Sequence, residues 1–181
     1  MSATTAEGLR AAFDRSFAEP PSEGVVHFED LIAIRIGGDP FALRIGDVTG
    51  LFADKKITSL PSPLAELVGV AGFRSGVVPV YDLRILLGYP AREPPRWMAL
   101  VTTPSGPRAP ARPVALAFDR FEAHVRVSPD AIAAEAVSAR IGHVREVARL
   151  ASGTTPIVHV GSLLEAIVER AEQPSTAQRE R

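Results

Sequence analysis

The sequence predicts an all-β fold closed by a C-terminal helix, and three observations carry the prediction. About nine or ten short runs alternate apolar and polar residues with a period of two. Turn clusters rich in Gly, Pro and Asp separate them about every eight to twelve residues. A helical apolar stripe recurs only near the two ends. Short strands at such spacing mean a sandwich or barrel and not an alternating α/β sheet. The 181 residues suit one domain or two small packed units, and 46% apolar content is enough for a real core.

Residues 1–24 read as an appendage. Thr4 and Glu7 have capping-box spacing, and Leu9, Phe13 and Phe17 then form one stripe that Pro20 and Pro21 end. This short amphipathic helix either packs on the body or offers its three large side chains to a partner. Ile32, Ile34 and Ile36 alternate as a strand, Gly37-Gly38-Asp39-Pro40 turns, and Phe41, Leu43 and Ile45 complete a hairpin. Val48 to Leu60 continues in short pieces. Leu64 to Val70 reads as one helical turn or irregular chain. Gly76 to Asp82 is β-rich, but Pro79 restricts it to an edge, a strand start or a bulge. Leu83 to Leu87 can make a helical turn ended by Gly88 and Pro90.

Ala91 to Arg96 reads as a linker, Trp97 to Val101 as an apolar strand, and Pro104 to Pro113 as a solvated loop. Val114–Phe118 and Phe121–Val127 suggest a tight hairpin turning at Asp119-Arg120. Val144–Leu150 and Ile157–Val160 are two further strands. Gly161 and Ser162 can cap a helix over 161–171 whose apolar face includes Leu163, Leu164 and Ile167. Residues 172–181 form a polar tail expected to be disordered. Pro79-Val80-Tyr81-Asp82-Leu83 is echoed by Pro156-Ile157-Val158-His159-Val160, which suggests two related β units over roughly 30–90 and 95–165.

Charge and chemistry narrow the function. Lys and Arg total 20 against 21 for Asp and Glu, a balance that speaks against a nucleic-acid partner or a polybasic membrane anchor. The absence of Cys excludes disulfides, thiolate metal sites and cysteine nucleophiles. His27, His124, His143 and His159 show no ligand spacing, so no metal is expected. No nucleophile elbow or phosphate loop occurs, and no cofactor is implied. The N-terminus has no apolar signal core and no run spans a bilayer, so a cytoplasmic protein without membrane insertion is expected. A binding module is favoured over an enzyme. The competing enzyme reading is a small β-barrel with His159 and Asp82 at its site.

The run from Gly69 to Arg84, G-V-A-G-F-R-S-G-V-V-P-V-Y-D-L-R, resembles the central signature of the CheW family of chemotaxis coupling proteins. Gly69, Val70, Arg74, Val78, Pro79, Asp82, Leu83 and Arg84 fall in register with it. The upstream hairpin, Val48, Ile57-Thr58 and Leu60-Pro61, and the downstream strands and helix, follow the same order over about residues 28–170, so 25–170 is taken as the CheW-like domain. The resemblance implies two small SH3-like barrels of five strands each, closed by the C-terminal helix. It implies a non-enzymatic adaptor with three kinds of partner: the regulatory domain of a CheA-type histidine kinase, the cytoplasmic tip of a chemoreceptor, and other CheW-like domains. It also implies association with membrane receptor arrays through those partners. A scaffold for another pathway, such as motility, development or polar targeting, fits the same residues.

On the receptor side the resemblance implies Arg74, Gly69, Val48 and Val78. Arg74 also reads as cover for a barrel edge, Gly69 as a site of close backbone approach, and Val48 and Val78 as core. Asp82 and Arg84 read as a local turn or ion-pair lock. Two departures stand out. The family's Asn-Leu-Arg-Gly element is Gly72-Phe73-Arg74-Ser75 here, with glycine displaced to Gly76. A commonly acidic position two residues after Val48 is Gly50.

Overall fold

Two glycines set the first hairpin. The computed structural model describes residues 28–74, 76–90, 94–105, 110–134 and 142–172. Within them β1 (Glu29–Ile36) and β2 (Asp39–Arg44) pair antiparallel, ending at Ile36↔Asp39. Gly37 and Gly38 between them have φ of +63° and +96°. Positive φ at both central positions is the turn whose twist matches the strands, and glycine adopts it without a Cβ clash. A Cβ on Gly37 would also stand 2.2 Å from Cδ1 of Tyr89, so an aromatic ring closes over the turn.

A 3-10 turn at Ile45–Asp47 leads to β3 (Gly50–Ala53), β4 (Ile57–Thr58), β5 (Leu67–Phe73), β6 (Gly76–Asp82) and a single helical turn, α1 (Leu83–Leu86). Then follow β7 (Trp97–Thr102), β8 (Pro113–Phe118), β9 (Arg120–Val127), β10 (Ile132–Ala134), β11 (Val144–Leu150), β12 (Gly153–Val158) and α2 (Val160–Glu172). They form two six-stranded sheets, β9-β1-β2-β12-β11-β10 and β3-β7-β8-β6-β5-β4.

Written in that direction the two sheets match strand for strand. Each has a hairpin at its second and third places, β1–β2 or β7–β8. The second strand of each hairpin runs parallel to the strand that precedes a helix, at Ile157↔Ala42 and at Val80↔Ala115. Along the chain the order is hairpin, four strands, helix, and then the same again. In space the two hairpins are exchanged: β1–β2 completes the sheet of the second half, and β7–β8 that of the first. The order of elements thus repeats over the expected halves 30–90 and 95–165, but each sheet draws strands from both halves, and each has six strands where five were expected. Local patterning could not show this, because the parallel pairings join strands far apart in the chain.

The exchange explains the core. One cluster draws Ile34, Ile36, Phe41 and Leu43 from the first sheet, Leu116 and Phe118 from the second, and Leu83, Leu163 and Ile167 from the helices. Ala115 and Ala117 of β8 alternate onto a second cluster with Val78, Val80 and Met98. Leu31, Ala42, Ala148 and Ile157 form a third on the other sheet. Phe41, Leu43, Leu116 and Phe118 are 0–1% exposed. Each such side chain contributes on the order of 1.5–3 kcal/mol, so the shared cluster holds the two sheets as one body.

Several local expectations are corrected. Leu67 to Val70 is strand, not helical turn, because β5 is flanked by β4 and β6. β6 is an interior strand despite Pro79. Its pairing with β8 begins only at Val80, so no bond there requires the missing N–H. Val114–Phe118 and Arg120–Val127 are not a hairpin: at Asp119 the chain leaves the second sheet for the first. The appendage over 1–24, with Leu9, Phe13 and Phe17, lies outside the described residues, as does the tail from 173.

Candidate functional site

Alternating apolar residues in β5 and β6 make a hairpin whose last pair is Phe73↔Gly76. Gly76 has φ +121°, which glycine tolerates. Arg74 therefore sits at the tip. Its side chain is exposed and makes no hydrogen bond or ion pair to a described residue. Val77, on the same hairpin, is 74% exposed.

Behind the tip lies an aromatic and cationic platform. Phe52 of β3 meets Phe73 edge to face, with ring centroids 5.0 Å apart at 78°. Lys55 Nζ stands 5.5 Å from the Phe52 centroid and 5.2 Å from that of Phe73, and donates to the Gly72 carbonyl at 3.1 Å. The preceding residue, Asp54, has φ +55°. Arg96 holds it there, with Nε and Nη2 on its two carboxylate oxygens at 2.9 and 3.1 Å, and its carbonyl accepts the Asp54 N–H at 2.9 Å.

The other residues placed on the receptor side lie elsewhere. Gly69 is buried, with φ +148°, and a Cβ there would come 2.2 Å from the Thr58 carbonyl oxygen. It lets β4 cross close to β5. Val78 is 0% exposed within the second cluster, so it reaches no outside partner in this structure. Val48 is half-buried against the shared core. Arg74, Val48 and Val78 are thus not brought together on one surface.

Asp82 and Arg84 form a buried fork. Asp82 Oδ1 caps α1 by accepting the Arg84 N–H at 2.9 Å. Arg84 Nε donates to Oδ1 at 3.0 Å and Nη2 to Oδ2 at 2.6 Å. Arg84 Nη1 reaches Asp119 Oδ1 at 3.0 Å, and Asp119 Oδ2 accepts the Gly37 N–H at 2.7 Å. The fork thus ties β6 to the first hairpin through the residue where the chain changes sheets. Its hydrogen bonds to Asp82 raise the Arg84 pKa above the ordinary guanidinium value, outweighing burial. Asp119, read from sequence as a turn residue, is the member that pattern reasoning missed.

The second half carries its own contacts. His159, not Gly161 or Ser162, caps α2, its Nδ1 accepting the Ser162 N–H at 3.0 Å. His143 Nδ1 lies 3.2 Å from Ser162 Oγ. Burial first, then Arg170, Arg145 and His159, lower the His143 pKa below 6.5. Arg170 of α2 also pairs with the buried Glu66 at 2.9 Å, tying the helix to the start of β5. His159 and Asp82 thus each serve a separate network. Neither lines the open groove of about 630 Å³ bounded by Arg35, Gly38, Arg96, Asp119, Arg120 and Glu122. In that groove Arg35 pairs with Glu122 at 2.7 Å and Arg96 is held by Asp54.

No helix among the described residues is long and apolar enough to cross a membrane. No curated protein matches the sequence. Among solved structures the chain is similar to the scaffolding protein TtCheW from Thermoanaerobacter tengcongensis. The two share 18% identity at a TM-score of 0.65, over 76% of this chain and 92% of that one. The family model described as the CheW-like domain matches residues 30–168. That span runs from β1 into α2 and takes in both sheets and the exchanged hairpins, and the chain therefore belongs to the CheW-like domain family.

Proposed function

We propose that this chain is a non-enzymatic adaptor that couples chemoreceptors to a CheA-type histidine kinase. The observation that carries the reading is the CheW-like match over residues 30–168, which leaves no substantial part of the described body outside it. The likeness to a scaffolding protein agrees with it. Arg74 is the receptor contact: its guanidinium projects from the hairpin tip, available to carboxylates or carbonyls of a receptor helix. The kinase regulatory domain docks on strands of residues 28–60, where short strands offer backbone edges. Each sheet closes as a small SH3-like barrel around its own apolar cluster. The protein works in the cytoplasm, held at receptor arrays through its partners.

The test is calorimetry with the cognate kinase regulatory domain and, separately, with a receptor cytoplasmic fragment. Binding of both, with receptor affinity lost in Arg74→Ala and kinase affinity retained, is the expected result. No binding of either at ~100 μM, the weak end for transient contacts, refutes the reading.

A further inference from the structure

We propose that Lys55 is the positioning residue of the Arg74 hairpin tip: its ammonium clamps the β3–β4 turn to the far end of β5–β6 and so sets how Arg74 is presented. The consequence for receptor binding rests on the reading of Arg74 given above; the clamp itself does not.

Composition gives the first reason. Lys55 and Lys56 are the only lysines in a chain whose basic residues are otherwise arginine. The contacts of Lys55 require what lysine alone supplies. One N–H of the ammonium points at the Gly72 carbonyl, while the charge stands over two rings that cross at 78°. A compact ammonium satisfies all three at once; a planar guanidinium stacks on one face and cannot also meet a second ring at that angle.

The surrounding residues are fitted to this arrangement. Asp54 holds a left-handed conformation under the Arg96 clamp, and that turn brings Lys55 back over the sheet. Gly50 leaves room for the platform, since a Cβ there would come 2.8 Å from Cε2 of Phe52. The departure from the acidic residue common at this position in the family thus has a local reason. Gly72, whose carbonyl is held, pairs with Val77 one step before the terminal Phe73↔Gly76 pair. A bond at that point restrains the last rung of the hairpin, from which Arg74 projects.

Amide hydrogen exchange, followed by NMR in the full chain, tests the clamp without any partner. Lys55→Met keeps the stem and removes charge and donors; Lys55→Arg keeps the charge and changes its shape. Both are expected to speed exchange of the Phe73 and Val77 amides at least ~fivefold, leaving β7 and β8 unchanged. The parent is expected to show a Lys55 ε-methylene signal shifted upfield by the two rings. Unchanged exchange at the tip in Lys55→Met, or a Lys55→Arg protein indistinguishable from the parent, overturns the proposal. Should Lys55→Met fail to fold, Phe52→Leu, which removes one ring from the platform, carries the same test. A receptor-fragment titration adds the functional arm, where Lys55→Met is expected to weaken binding at least ~threefold. If the parent itself does not bind receptor, the adaptor reading fails while the exchange data still decide the clamp.

Discussion

Arg74 and Arg84 flank the same strand, β6, and the structure uses them in opposite ways. Arg84 is 4% exposed and makes hydrogen bonds to Asp82 and Asp119. Arg74 is exposed and bonds to no described residue. One guanidinium organises the inside of the molecule, while the other is left for the outside. The difference lies not in the residue but in what the fold brings to it. A capping carboxylate two positions away and the sheet-crossing Asp119 converge on Arg84. Only a hairpin tip surrounds Arg74.

The largest effect is expected at the buried arginine. Arg84→Ala leaves the Asp82 carboxylate buried without its counter-charge, and about 3–5 kcal/mol of stability should be lost, read by urea unfolding. The double variant Asp82→Leu/Arg84→Met removes both charges and should recover most of that loss. A double variant as unstable as Arg84→Ala would show that the fork positions the sheets beyond satisfying its own charges.

Gly69→Ala comes next. The added methyl meets the Thr58 carbonyl from a left-handed φ, so a cost of about 2–4 kcal/mol is expected in the same assay. Asp119→Asn keeps an oxygen for the Gly37 N–H but removes the charge opposite Arg84, and should cost about 1–2 kcal/mol. Arg74→Ala should change stability by no more than about 0.5 kcal/mol. Its effect should appear in receptor affinity, as a loss of roughly thirtyfold if the residue is an interface hot spot. A variant that melts early and binds both partners less well would make Arg74 a second structural arginine and erase the contrast.

The smallest expected effect is a pH dependence from His143, half-buried beside α2. Its folded-state pKa is lowered, by burial first and by nearby Arg170, Arg145 and His159 after it. Below the unfolded value of 6.5 the unfolded chain therefore binds the proton more readily than the folded one. The stabilisation is present above that pH and is lost as pH falls from it towards and through the lowered folded-state value. Urea midpoints at about pH 7.5 and 5.5 should fall less in His143→Gln than in the parent. Equal falls in both proteins would remove His143 as a source of the dependence.

Much of the body was legible in the linear pattern, for definable reasons. Gly37-Gly38 between two alternating runs is a local turn instruction, and the hairpin formed there. The Gly69–Arg84 run carried the family signature, and Arg74 fell at an exposed tip within it. The echo between Pro79–Leu83 and Pro156–Val160 marks equivalent places in the two sheets, each starting a parallel pairing one residue after its proline. These features depend on neighbours a few residues apart, which the sequence displays directly.

The β class, the positions of the strands that pair locally and the family signature could all be read along the chain. Which sheet each hairpin joins was set by long-range packing, because a period of two states that a strand has a buried face but not what covers it. Val114–Phe118 and Arg120–Val127 alternate as two strands of one hairpin would, yet they belong to different sheets, and Asp119 between them serves Arg84 and Gly37. For the same reason Val78 and Arg74, four residues apart in one signature, ended in the core and at the surface. Long-range pairing decides burial, and burial decides whether a side chain holds the fold or meets a partner.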